Sequence, residues 1–252
     1  MAACADTGYV LNKLTWMREQ RIWPNGLRYL WTDAFGVILL ASLYRELRES
    51  KFLTEAEWVV AEVDRVLGRP RGIRIGEEAD RDGQYFHYLA MWIYALAVLA
   101  KYDPRYRRKG VELVHQIHDA FLVPGQGVIW KMTEDLSAPY PGFGLGALDA
   151  FDGYVAYRLL DDNRGESVIE GLLKADVAVV FNTADTPEER ERMVFGDPLE
   201  TLWKNCVLGP CGVEDVHRET FRVVVKSSDE QRHIWLGVVR GTMREVFETS
   251  GG

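Results

Sequence analysis

The sequence predicts two unlike parts. The N-terminal part is mainly α, a partial (α/α) toroid of helical hairpins, and the C-terminal part is a small α/β unit with a short parallel sheet. Three observations predict this. Up to about residue 160, apolar side chains recur at helical spacing with no clear strand between them. The loops between these helices alternate in length, as expected when helical hairpins stack and their longer loops gather on one face. Beyond the polar stretch Asp161 to Ser167, short β-branched runs replace the helical pattern. The expected division is therefore 1–160, a linker at 161–167, and 168–252.

The first helix spans 9–20, with Val10, Leu11, Leu14 and Met17 on one stripe, and Trp23-Pro24-Asn25-Gly26 stops it. Thr32-Asp33 reads as an N-cap for a second helix running to Leu47. Thr54 and Glu57 have capping-box spacing for a third, which ends at Gly68. A Gly- and Arg-rich loop from Arg69 to Gly83 precedes a fourth helix, Gln84 to Tyr102. Asp103-Pro104 opens a fifth through Val114, Ile117 and Phe121. A long loop, Val123 to Gly146, leads to a sixth helix, Ala147 to Leu160.

In the second part, Asp176 to Phe181 and Phe221 to Val225 read as buried parallel strands. Between them Asp197-Pro198 caps a helix through Leu199, Leu202, Trp203 and Val207. Ser228 and Gln231 form a capping box for a last helix carrying Ile234, Trp235, Val238 and Val239.

Composition bounds the function. Hydrophobic residues make up 47% and charged residues 27% of the 252, which is enough for a packed core. A net charge of −8 argues against general nucleic-acid binding, and the Arg105, Arg107, Arg108, Lys109 run reads as a solvated helix face. The three cysteines, Cys4, Cys206 and Cys211, include no CxxC pair, which speaks against a disulfide framework or a zinc site. The expected setting is reducing and cytoplasmic. Met1 to Asp6 has no secretory pattern, and the most apolar stretch, Tyr85 to Ala100, is too short to span a bilayer comfortably.

Four clusters mix aromatic and polar residues at helix starts and in loops: 29–33, 82–87, 130–132 with Asp135, and 149–154. Aromatic faces beside carboxylates suit a sugar, whose apolar ring face stacks while its hydroxyls are hydrogen-bonded. Asp33, Asp82, Asp149 and Asp152 are the candidate acids, bases or hydroxyl ligands. Tyr29, Trp31, Gln84, His87, Trp130, Lys131 and Tyr154 are the candidate sugar contacts. Each has a structural alternative. Asp33 suits a helix N-cap, Asp82 the end of a loop, and Asp149 and Asp152 a helix start, where carboxylates favour the dipole. His87 suits a satisfied core position. His115 and His118 share a helix face, yet no third ligand is evident and no metal is expected. In the second part, Asn182, Thr183 and Thr186 follow the first strand, at the end of a parallel sheet where ligands bind. No GxGxxG or Walker A pattern is present.

Residues 28–36 (RYLWTDAFG), 82–89 (DGQYFHYL), 130–132 (WKM) and 147–153 (ALDAFDG) resemble an uncharacterised family of the six-hairpin glycosidase-like superfamily. The resemblance covers roughly 8–160, about half of such a toroid. It implies a central cleft lined by the four clusters and carbohydrate-directed activity. Residues 175–200 and 221–235 are similar to the C-terminal half of flavodoxin-like NAD(P)H-dependent oxidoreductases. That resemblance implies FMN as an alternative cofactor, approached only by Asn182 and Thr183, because the phosphate loop is missing.

The leading expectation is a carbohydrate-active or sugar-binding protein with no cofactor. The alternatives are an FMN-dependent oxidoreductase-like protein and a non-catalytic interaction module. Both halves resemble incomplete folds, so self-association into a homo-oligomer is expected.

Overall fold

The computed structural model describes residues 5–24, 27–146, 148–168, 177–184 and 215–248, with single positions at 189, 204, 208 and 213. The chain divides into two compact units, 1–171 and 172–252.

The first unit contains α1 (Ala5–Glu19), α2 (Leu30–Leu47), α3 (Lys51–Leu67), α4 (Phe86–Leu99), α5 (Arg105–Phe121) and α6 (Asp149–Leu159). Short turns make hairpins of α2 with α3 and of α4 with α5, and α4 packs against α2, α5 and α6. Sequence pattern separates inner from outer helices. Helix α4 is apolar almost all round and buries Phe86, Leu89, Trp92, Ile93, Leu96 and Leu99, so it belongs at the centre. Helices α3 and α5 each bury a single stripe: Phe52, Ala56, Val59, Val63 and Leu67 in one, and Leu113, Val114, Ile117 and Phe121 in the other. Their opposite faces carry charge and stay in water. The buried side chains form a continuous core from Leu14 to Val168. Each large one contributes about 1.5–3 kcal/mol relative to exposure.

Several boundaries differ from those expected. Helix α2 begins at Leu30, so Asp33 lies inside its first turn rather than capping it. The Leu30 N–H is instead satisfied by the Ile75 carbonyl at 2.9 Å. The Thr54–Glu57 capping box does not form, because helical geometry already starts at Ser50 and the Thr54 hydroxyl donates to the Ser50 carbonyl. The fourth helix starts at Phe86. Gln84–Tyr85 form a short strand, β1, antiparallel to β4 (Lys131–Met132), with Tyr85 opposite Lys131. A tight hairpin, β2 (Leu122–Val123) with β3 (Gly127–Val128), precedes β4. The two long loops expected to be irregular are thus stitched together by backbone pairing at the start of α4. Such pairing satisfies their buried polar groups.

The second unit has β5 (Val177–Ala184) parallel to β6 (Asp215–Arg222), from Val177 opposite Asp215 to Ala184 opposite Arg222. The parallel sheet is as expected, but the second strand lies upstream of the apolar run Phe221 to Val225. It ends at Arg222, because Val223 takes φ 56° and Val224–Lys226 wind into a 3-10 turn. Helix α7 (Asp229–Glu248) follows, and the Gln231 N–H donates to Ser228 Oγ at 3.1 Å, the N-terminal half of the expected box. Phe181 stacks on Phe221, which meets Trp235 of α7 at 5.5 Å between centroids. The expected helix from Asp197 to Val207 and all three cysteines lie outside the described residues. Among the described residues, no helix is long and apolar enough to cross a membrane.

Candidate functional site

The starts of α2, α4 and α6 meet. Trp31 is the second residue of α2 and His87 the second of α4, and their rings lie 4.7 Å apart. His87 Nδ1 is 2.6 Å from Oδ2 of Asp152, in the first turn of α6. The N-terminal, positive dipole ends of these three helices therefore lie at one place. Asp149, the first residue of α6, joins them. Carboxylates in a helix's first turn are favoured by that dipole, and here the same two acids also reach a cavity.

The cleft has a volume of about 580 Å³ and is lined by His87, Trp130, Leu145, Gly146, Leu148, Asp149 and Asp152. Trp130 is 44% exposed. Tyr85 stacks on it at 5.8 Å with 16° between planes, and Phe143 meets it edge-on at 4.9 Å, so its angle is set by neighbours. Backbone bonds hold it as well: the Trp130 carbonyl accepts from Phe86 N–H and its own N–H donates to the Gly144 carbonyl.

The titrating groups are pushed in informative directions. The hydrogen bond to Asp152 raises the His87 pKa above its ordinary value, burial opposes the shift, and the charges of Asp152 and Asp149 reinforce it. With Nδ1 held by Asp152, Nε2 is the ring nitrogen free to exchange a proton in the cleft. Burial raises the Asp149 carboxyl above the usual carboxylate range, and the imidazole of His87 works against that rise. Asp149 Oδ1 is buried with no hydrogen-bond partner among the described residues.

A layer of aromatic side chains extends the cleft. Trp31 contacts Tyr88 at 4.9 Å, Tyr88 meets Tyr85 edge-on at 5.1 Å, and the Tyr29 and Tyr88 hydroxyls are 2.9 Å apart. Burial of Tyr29 pushes its phenol pKa upward. Lys131 is almost fully buried. Its ammonium donates to the Arg81 carbonyl at 2.5 Å and sits over the rings of Tyr85 (4.6 Å) and Tyr140 (4.1 Å). Its charge holds the aromatic layer together by cation–π attraction.

The structure therefore brings together Trp31, His87, Trp130, Asp149 and Asp152, with Tyr29 and Lys131 in the adjoining layer. It places the other expected residues elsewhere. Asp33 is fully buried; its Oδ1 accepts from Trp23 Nε1 at 2.8 Å and pairs with Arg28 at 3.3 Å. Asp82 pairs with Arg74 and accepts from the N–H groups of Gly76 and Gly83, which organises its loop. Gln84 staples two loops: its Oε1 accepts from Ile73 N–H, and its Nε2 donates to the carbonyls of Arg71 and Glu134. None of these three lines the cleft, because each is consumed by internal bonds. Tyr154 is half-buried beside Gly165 and also does not line it.

In the second unit, Asn182 and Thr183 lie within β5 rather than in a turn after it, and Asn182 Oδ1 accepts from Arg218 Nε at 2.9 Å. His115 and His118 turn to different neighbours, Asp162 and Ser167. Among the described residues, no group of three or more His, Cys, Asp or Glu is placed to hold a metal ion.

Tyr88, Phe143, Leu145 and Leu148 were not singled out from the sequence. Tyr88 follows His87 directly and could have been read with it. The other three come from an irregular loop and a helix start, where no periodicity marks a facing side chain.

The fold and site define a unit of helical hairpins carrying an acidic, aromatic-lined cleft at the shared start of its inner helices. No family model matches the chain, and no curated protein matches it. Among solved structures, the chain is similar to a cellobiose 2-epimerase from Bacillus thermoamylovorans B4167, with 11% identity and a TM-score of 0.49. The match covers 60% of this chain and 45% of that one, so this chain spans less than half the length of that protein.

Proposed function

We propose that the cleft at the start of α4 and α6 binds a sugar and performs acid–base chemistry on it. The observation that carries this reading is the 2.6 Å bond between His87 and Asp152 beside the raised Asp149 carboxyl and the exposed face of Trp130. Trp130 supplies an apolar platform for a pyranose face, and Asp149 Oδ1 is a buried acceptor awaiting a hydroxyl. Asp152 orients His87 so that Nε2 takes or gives the proton, which makes Asp152 a positioning residue and His87 the base.

For a glycoside the steps follow directly. Asp149, whose carboxyl burial raises above the usual carboxylate range, gives a proton to the glycosidic oxygen as that C–O bond breaks. His87 Nε2 takes a proton from the water that attacks the anomeric carbon, and solvent then restores both groups.

The test is titration with mono- and disaccharides followed by tryptophan fluorescence, with product analysis on aryl glycosides. Saturable binding weakened in Trp130→Ala, with turnover lost in His87→Gln, is the expected result. Sugar binding that survives Trp130→Ala and Asp149→Ala together would remove the cleft from this role.

A further inference from the structure

Two stripes of side chains leave the cleft from the His87–Asp152 pair. On α4, which is largely buried, the half-buried positions His87, Met91, Tyr94 and Val98 follow one another at helical spacing. On α6, Asp152, Val155 and Leu159 do the same, the last two exposed. The two helices pack on each other, and the 2.6 Å bond between His87 Nδ1 and Asp152 Oδ2 ties the stripes at their origin. Between them lies a groove of about 240 Å³, walled by Ala90, Met91 and Tyr94 on one side and by Phe151, Val155 and Ala156 on the other. Asp152 lines both the groove and the cleft, so the groove begins where the cleft ends.

The groove runs on past Tyr94, which also lines a further hollow of about 250 Å³ bounded by Val98, Leu159 and Lys101. From Ala90 to Lys101 the chain advances about 16 Å at 1.5 Å per residue. Along this length the walls are mostly hydrocarbon. The Tyr94 hydroxyl is the one side-chain oxygen or nitrogen that they hold between Asp152 and Lys101. Asp152 itself is committed to His87, and Lys101 stands exposed at the far end. A hydroxyl-rich sugar unit laid there gives up water for walls that return almost no hydrogen bonds. An apolar chain laid there leaves water and gains contact with Met91, Val155 and Leu159.

We propose that this groove holds the aglycone of the substrate, and that the aglycone is an apolar alkyl or aryl-alkyl group rather than a second sugar. The inference rests on the reading of the cleft as a sugar site. A ring stacked on Trp130, with its glycosidic oxygen at Asp149, sends the leaving group past the His87–Asp152 pair, and the groove starts there. A glycoside of an apolar alcohol matches both halves. Its sugar brings hydroxyls and a stacking face to the cleft, and its hydrocarbon fills the groove.

The experiment titrates the full chain by calorimetry with methyl, butyl and octyl β-glucosides and β-galactosides, each below its micelle concentration. Affinity should rise about twofold or more with each added methylene, roughly a hundredfold from methyl to octyl. Val155→Gln puts an amide on an exposed wall of the groove. It should remove most of that gain and leave methyl-glycoside affinity unchanged, which also shows that the variant is folded. Leu159→Gln, further along, should remove only the part gained between butyl and octyl. A methyl glycoside that binds with no gain on lengthening the chain overturns the aglycone assignment and spares the sugar reading. A dimer seen by light scattering in that sample then identifies a second copy of the chain as what covers the groove. An octyl gain untouched by both variants overturns the assignment as well. Failure of every glycoside to bind removes the sugar reading and this one with it.

Discussion

His87 Nδ1 and Asp152 Oδ2 lie 2.6 Å apart, joining the first turns of two helices that are 50 residues apart at their nearest named ends, Leu99 and Asp149. The bond fixes which imidazole nitrogen is held and which is free. It also sets the pH behaviour of the cleft.

Asp152→Asn should lower the His87 pKa toward its ordinary value near 6.5, because the first cause of its rise is that hydrogen bond. The folded-state pKa is raised, so the pair's contribution to stability is full below the unfolded value. It is lost as pH rises through the folded value. NMR titration of the His87 ring and thermal melts at pH 5 to 9 check both statements. An unchanged His87 titration in the variant would contradict the geometry.

Asp149→Asn should stabilise the fold at neutral pH and leave it unaltered in acid. Burial raises the Asp149 carboxyl, so the native state binds its proton more tightly than the unfolded chain does. Stability is therefore lost as pH rises from the unfolded value through the folded one, and the neutral amide removes that loss. Melts at pH 3 and pH 7 compare the two. The same variant should abolish any turnover of glycosides.

Asp33→Ala should cost about 1–3 kcal/mol of stability, since it removes the acceptor of the buried Trp23 N–H and one partner of the Arg28 guanidinium. Sugar affinity at a temperature where the variant stays folded should be unchanged. Denaturant titration and fluorescence binding separate the two effects.

Gly36→Ala probes the same region from the other side. A Cβ there would overlap the Trp23 ring, which packs flush on α2. The expected cost is about 1–3 kcal/mol, and it should not add to that of Asp33→Ala because both act through Trp23.

Trp130→Ala should weaken sugar binding by about 1 kcal/mol, roughly fivefold, with little change in melting temperature. The ring is 44% exposed, so little core packing is lost. Calorimetric titration against a melt of the same sample decides between a platform and a structural role.

Much of this was legible in the residues themselves. The apolar stripes of α3 and α5 and the all-round apolar face of α4 determine which helices are outer and which is central, because burial demands it wherever helices pack in layers. The β-branched run beginning at Val177 determined a strand, and Ser228 determined where the last helix begins. The sequence also marked Trp31, His87, Trp130, Asp149 and Asp152 as polar and aromatic residues at helix starts and in loops. Only the tertiary structure decided which of the candidates share a cavity. Asp33, Asp82 and Gln84 have the same chemistry as the cleft residues, yet each is surrounded by donors or acceptors contributed by distant loops: Trp23, Arg74, Ile73 and Glu134. A carboxylate's role is set by what faces it, and those facing groups are brought from elsewhere in the chain by packing that no local pattern encodes.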